Sequence, residues 1–61
     1  MIDYTIRISD GRGFDDVLCI IAADTGGDAI REAIARQYGT IKAFEKQYGE
    51  SLLSVERGAN D

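Results

Sequence analysis

Histidine, proline and tryptophan are absent from this 61-residue chain, and cysteine occurs once. Without histidine, the sequence lacks the commonest general base of enzymes and a frequent metal ligand. A lone cysteine cannot form an internal disulfide, the covalent staple of many small secreted domains. No histidine is present to activate Cys19 as a nucleophile, so we interpret it as a core or interface residue. We therefore expect no enzymatic activity, no bound metal and no cofactor.

Basic residues are also scarce. Seven lysines and arginines stand against eleven acidic residues, which gives a net charge of −4. Direct binding of nucleic acid is not expected, because contacts to phosphates depend on an excess of basic side chains. The first residues lack the basic segment of a signal peptide, and the longest apolar run, residues 17–23, has only the length of a strand. These features predict a cytoplasmic protein that does not contact a membrane.

The hydrophobic content is sufficient for a folded chain. Hydrophobic residues make up 44% of the sequence, more than is typical of disordered proteins. The length allows only one compact unit, so residues 1–61 are expected to form a single domain. A domain of this size buries roughly 60% of the surface of its unfolded chain, which leaves little room for a deep cleft.

Two segments near the start of the chain have the patterns of strands. In residues 2–9, apolar and polar side chains alternate, which is typical of a strand with one buried face. Residues 10–13 contain an aspartate and two glycines suited to a turn, and residues 16–23 are apolar on both faces. Together they predict a β-hairpin. The apolar residues of the first strand are Ile2, Tyr4, Ile6 and Ile8.

The segment that follows begins like a helix. Asp24 or Thr25 is suited to cap it, and Asp28 would complement the helix dipole in the first turn. Glu32 and Arg36 have the i,i+4 spacing of a helical ion pair. The predicted inward stripe consists of Ala29, Ile30, Ala33, Ile34 and Tyr38.

Residues 40–50 allow three interpretations. One helix passes through Gly39 with a bend or interruption, a second helix spans roughly 41–48, or a strand covers 40–46. We favour helix throughout. Apolar residues at 52, 53 and 55 then predict a short final strand before the polar tail 58–61. The expected fold class is α+β: a three-stranded, mainly antiparallel sheet with one long or interrupted helix on one face, in the order β-β-α-β.

Three short patterns resemble ligand or catalytic sites. Asp24-Thr25-Gly26 resembles the catalytic triplet of retroviral-type aspartic proteases, in which two chains contribute aspartates that share a proton. Too few residues follow it for the rest of that fold, so a turn with a helix cap is preferred and a dimeric protease is the remote alternative. Acidic neighbours disfavour a phosphate site at Gly26 and Gly27. A calcium site is disfavoured because Arg12 interrupts the spacing of carboxylates in the hairpin.

The negative charge is unevenly distributed. Residues 1–29 contain six aspartates and two arginines, whereas residues 30–61 contain five acidic and five basic residues. A concentrated negative charge suits a basic surface on a partner, although net charge also keeps small domains soluble. The expected partner-binding residues are Asp10, Arg12, Phe14, Asp15 and Asp16.

A second surface follows from the two apolar faces of residues 16–23. If the helix covers the face that carries Leu18 and Ile20, the other face remains open, and exposed apolar patches usually mark interfaces. The residues expected on that open face, and so at a possible homodimer interface, are Val17, Cys19 and Ile21. Alternatively, Ile41 or Phe44 covers them within one copy.

In size, acidity and lack of catalytic residues, the whole chain resembles the small inhibitors encoded by phages and other mobile elements, including anti-CRISPR and anti-restriction proteins. The resemblance is one of overall character and involves no shared motif. It implies a protein that inhibits a larger, nucleic-acid-handling complex by blocking a basic surface. The alternative function is a homo-oligomeric structural or accessory module with no inhibitory role.

Overall fold

A computed structural model describes residues 1–58 as two strands, a long helix and a third strand. Strands β1 (Ile2–Ser9) and β2 (Asp15–Ala23) form a hairpin, helix α1 spans Gly26–Tyr48, and β3 covers Leu52–Arg57. The strand order is β2-β1-β3, and both outer strands run antiparallel to β1. The predicted α+β class and element order are confirmed. Residues 59–61 of the predicted polar tail lie outside the described part.

Strand β1 lies at the centre of the sheet, and its alternating pattern sets the two faces. Tyr4, Ile6 and Ile8 are buried, and the first two share a core with the helix residues Ala29 and Ala33. The residues between them lie on the opposite face of the sheet, which we call the open face because the helix does not cover it. The predicted half-buried strand is confirmed.

The register of β2 corrects the faces predicted for that strand. Ile21 lies opposite Tyr4, Cys19 lies opposite Ile6, and opposite residues in an antiparallel pair share a face. Cys19 and Ile21 therefore face the helix, and Ile21 is only 3% exposed. Conversely, Ile20 was predicted beneath the helix but lies on the open face and is 56% exposed.

A β-bulge changes the faces again in the first half of β2. The pairing passes from Ile6 opposite Cys19 to Arg7 opposite Val17, so Leu18 is the extra residue. Without the bulge, Val17 would share the face of Cys19. With it, Val17 lies on the open face as predicted and is exposed, whereas Leu18 packs against the core.

Helix α1 is continuous but kinked. Thr25 caps it by accepting a hydrogen bond from the backbone N–H of Asp28 at 3.2 Å. The non-helical residue is Gln37, so the bend lies two residues before the predicted one at Gly39. Residues 40–48 are helical, as favoured, and the alternative of a strand at 40–46 is excluded. The predicted ion pair between Glu32 and Arg36 also forms, at 2.8 Å.

The inward face of the helix is narrower than predicted. Ala29, Ala33 and Ile41 are buried, but Ile34 and Tyr38 are 41% and 58% exposed. Small alanine side chains let the helix approach the sheet closely, and residues further around its circumference extend past a sheet only three strands wide. Among residues 1–58, Ile6 is the one large side chain that is fully buried, so the core is thin.

No helix within residues 1–58 combines the length and the apolar character needed to cross a membrane.

Candidate protein-binding surface

The loop that joins β1 and β2 is organised by one carboxylate. Oδ1 of Asp10 accepts hydrogen bonds from the backbone N–H groups of Arg12, at 2.8 Å, and Phe14, at 3.1 Å. Gly11 and Gly13 have positive φ angles, which allow the chain to reverse around this carboxylate. The hydrogen bond from the Arg12 N–H is the main cause that lowers the pKa of Asp10. The loop is therefore closed by its own first acidic residue while that residue is ionised.

Arg12 attaches the loop to the end of the helix. Its Nη2 donates a hydrogen bond to the backbone oxygen of Tyr48 at 2.8 Å, across 36 positions of sequence. The last carbonyls of a helix lack hydrogen-bond partners within the helix and carry partial negative charge. A guanidinium group there donates a missing hydrogen bond and also balances the charge. Arg12, which was predicted as a partner contact, thus has a role within the fold.

Phe14 makes a second attachment between the loop and the helix. Its ring lies 5.3 Å from the ring of Phe44 and 5.0 Å from that of Tyr48, measured between centroids. Phe44 and Tyr48, one helical turn apart, are themselves 4.6 Å apart. Phe14 remains 36% exposed. The three rings form a small aromatic cluster that attaches the loop to the helix and leaves Phe14 partly exposed.

The two aspartates at the start of β2 are held differently. Asp15 accepts a hydrogen bond from Nε of Arg7 at 3.1 Å, and Arg7 also lies 3.9 Å from Glu56 on β3. The hydrogen bond to Asp15 is the main cause that raises the pKa of Arg7. Asp16 accepts a hydrogen bond from the N–H of Val17 at 2.8 Å and has no ion pair among residues 1–58. Asp16 therefore presents an unbalanced charge to solvent.

These residues gather at one end of the molecule, which we call the acidic end. Glu50 follows Gly49, which ends α1 and lies beside the guanidinium of Arg12. The structure thus brings together all five predicted partner-binding residues. The acidic end consists of Asp10, Arg12, Phe14, Asp15, Asp16 and Glu50.

The residues predicted at a homodimer interface do not form one surface. Val17 is exposed on the open face, whereas Ile21 is buried and Cys19 is partly buried on the helix face. Burial raises the pKa of the Cys19 thiol, which suits a packing residue. Ile20 is the exposed residue that the sequence interpretation missed, because residues 17–23 are apolar on both faces and their pattern does not show which face the helix covers.

The Asp24-Thr25-Gly26 segment forms the predicted turn and helix cap. The Thr25 side chain and backbone oxygen both accept hydrogen bonds from the first turn of α1. A side chain at Gly26 would contact Val55 at 3.4 Å, so glycine allows the helix start to lie close to β3. In the part of the chain that the structure describes, no cluster of three or more acidic or cysteine residues has the arrangement of a metal site.

Comparisons of the chain with protein-family models, with curated proteins and with solved structures gave no match. The function is therefore argued from the chemistry of the acidic end.

Proposed function

We propose that this chain is a small protein-binding domain that inhibits a larger, nucleic-acid-handling complex by covering a basic surface of that complex with its acidic end. The observation that carries the proposal is the attachment of the acidic loop to the helix at two points, through Arg12 and Phe14. A loop that is already ordered loses less conformational entropy on binding than a flexible one.

The charge of the acidic end supports a basic partner. Asp16 and Glu50 are both exposed at this end. Complementary fields accelerate association and exclude partners of the wrong sign. Surfaces that hold phosphate backbones are rich in lysine and arginine, so they have the complementary sign. An acidic domain on such a surface would compete with the nucleic acid.

Exposed apolar area at the same end supports contact beyond charge. Phe14 is 36% exposed, and its ring is already held by the rings of Phe44 and Tyr48. Aromatic side chains surrounded by polar groups are frequent anchors of protein interfaces. The acidic end therefore combines one aromatic contact with a ring of carboxylates.

The test is affinity capture from a lysate of the source cells, with the wild type compared with two double variants of equal net charge. Asp15→Lys/Asp16→Lys reverses two charges at the acidic end. Asp3→Lys/Asp24→Lys reverses the charges of two exposed aspartates elsewhere. We expect one stoichiometric partner, released by high salt, that the first variant loses and the second retains. The captured complex should also lose its nucleic-acid activity when the wild-type domain is added.

Asp16→Lys alone serves as a second variant, because Asp15 pairs with Arg7 and its reversal also affects the hairpin. Circular dichroism establishes that each variant is folded. Equal capture by wild type and both acidic-end variants would overturn the electrostatic mechanism. If the domain binds a partner but leaves the activity of that partner unchanged, the proposed inhibition would be wrong and an accessory role would replace it.

A further inference from the structure

Strand β2 has an outer edge with unusually few features that prevent strand pairing. In the three-stranded sheet formed by residues 1–58, β2 is an outer strand, so one side of its backbone has no neighbouring strand. From Val17 to Ala23 it contains no charged residue and no proline. Natural edge strands are usually kept apart by lysine, proline, short length or a β-bulge. From Val17 to Ala23, this nine-residue strand has only the last of these devices, the bulge at Leu18.

Apolar side chains border this edge on the open face. Val17 and Ile20 are 46% and 56% exposed. Ala22, which lies opposite Asp3 in the hairpin, is also exposed on that face. A strand added beside β2 would cover these side chains, and it would also form hydrogen bonds with the backbone groups of the edge.

We propose that two copies of this chain pair antiparallel along β2, about a two-fold axis, and so join their sheets into one of six strands. The register in which opposite residues share a face on both sides of the bulge places the axis between Leu18 and Cys19. In that register, Asp15 lies opposite Ala22 of the second copy, and Asp16 lies opposite its Ile21. The acidic start of each strand therefore meets the uncharged end of the other, and like charges are not opposed.

The side of the helix that lies above β2 carries charges of both signs, which suits contact with a second copy. Arg36 pairs with Glu32 at 2.8 Å, and its charge partly opposes the rise in pKa that burial causes at Cys19, which lies on the helix face of β2. A two-fold axis perpendicular to the sheet would place two antiparallel helices on the same side of it. Glu32 of one copy would then face Arg36 of the other, so both signs of charge are matched across the axis.

The bulge at Leu18 is compatible with a second copy as the occupant. A bulge increases the local right-handed twist of a strand, so a pairing strand must follow the same twist. The β2 strand of a second copy has the same sequence and bulge, and therefore the same twist. The thin core gives a reason for the pairing, since a domain with few fully buried side chains gains stability from any added burial.

The test measures molar mass by light scattering across a range of protein concentration. We expect the wild type to have twice the mass of one chain at high concentration. Ile20→Lys, which adds a charge beside the edge, should reduce the mass to that of one chain. Leu52→Lys is the matched control, because Leu52 is 50% exposed on the other outer strand. It should leave the dimer intact.

Cross-linking tests the register with a short bismaleimide. Cys19 of the wild type should give a covalent dimer, whereas Ser54→Cys in a Cys19→Ser background, on β3, should not. A single-chain mass at every concentration would overturn the proposal. So would a dimer that Ile20→Lys leaves intact, or one that cross-links through position 54 and not through Cys19. The inference does not depend on the proposed partner, because the protein is tested alone.

Discussion

At the scale of single residues, the side chains of the acidic end serve the fold as well as the surface. Asp10 closes the loop, Arg12 caps the helix end, and Phe14 packs on two helix rings. Even Asp15 is used within the molecule, as the partner of Arg7. A substitution at any of these four positions would therefore alter the fold as well as the proposed binding. Asp16, without an ion pair in the described residues, is the cleanest position at which to test binding.

Asp10 gives a prediction about pH. Its carboxylate accepts two backbone N–H groups, which lowers its pKa below the ordinary 3.8. A group with a depressed pKa in the folded state stabilises that state above the ordinary pKa, and this contribution is lost as the pH falls through the depressed value. We therefore expect the loop to remain closed in mild acid and to open only below the ordinary pKa of aspartate.

Nuclear magnetic resonance titration measures this directly. The Asp10 carboxyl carbon and the amide protons of Arg12 and Phe14 should shift together, with a common midpoint below 3.8. Asp10→Asn keeps an oxygen acceptor but does not titrate, so the same two amide protons should lose that midpoint. A midpoint at or above the ordinary value would show that the two hydrogen bonds do not close the loop in solution.

At the scale of elements, the kinked helix contains one glycine that nothing in the structure requires. Gly39 is exposed, has no positive φ, and would bring an added Cβ into open space. Glycine within a helix costs about 1 kcal/mol relative to alanine. Gly39→Ala should therefore increase the free energy of unfolding by about 0.5–1 kcal/mol. Urea denaturation followed by circular dichroism measures the change.

Gly49 provides the control, because it ends the same helix with a φ of 97°. A side chain there is strained, so Gly49→Ala should decrease the free energy of unfolding by about 1–3 kcal/mol. The two substitutions are chemically identical and differ only in backbone conformation. Equal effects of the same sign would contradict the assignment of Gly49 as the helix end.

A comparison of β1 with β2 also shows which structural features can be predicted from the sequence. In β1, polar and apolar residues alternate, so the pattern alone fixed its buried face. In β2, both faces are apolar, so the pattern did not show whether Ile20 or Ile21 is buried. Nothing in the sequence indicated the bulge at Leu18. The attachment of Arg12 to Tyr48 was equally hidden, because it joins residues that come close only after the hairpin and helix have packed. Local composition located the acidic end, and long-range packing determined how it is held.

At the scale of the whole molecule, the two proposals fit one arrangement. The acidic loop lies at one end of β2, and antiparallel pairing of two copies would place the two loops at opposite ends of the joined sheet. Nine residues at about 3.3 Å each separate them by roughly 30 Å. The dimer would present two acidic ends that face away from each other. If both proposals hold, the dimer would bind two basic sites, and its avidity would depend on the pairing along the edge of β2.

Edge pairing also predicts how stability depends on concentration. If folded chains dimerise and unfolded chains do not, a tenfold rise in concentration adds about 1.4 kcal/mol per dimer, or about 0.7 kcal/mol per copy. In a domain of this size, that change raises the Tm by about 3–6 °C. Wild type and Leu52→Lys should both show the rise in calorimetry, whereas Ile20→Lys should unfold at one temperature throughout. A wild-type Tm that is independent of concentration would mean that each copy is stable alone, with its β2 edge unpaired.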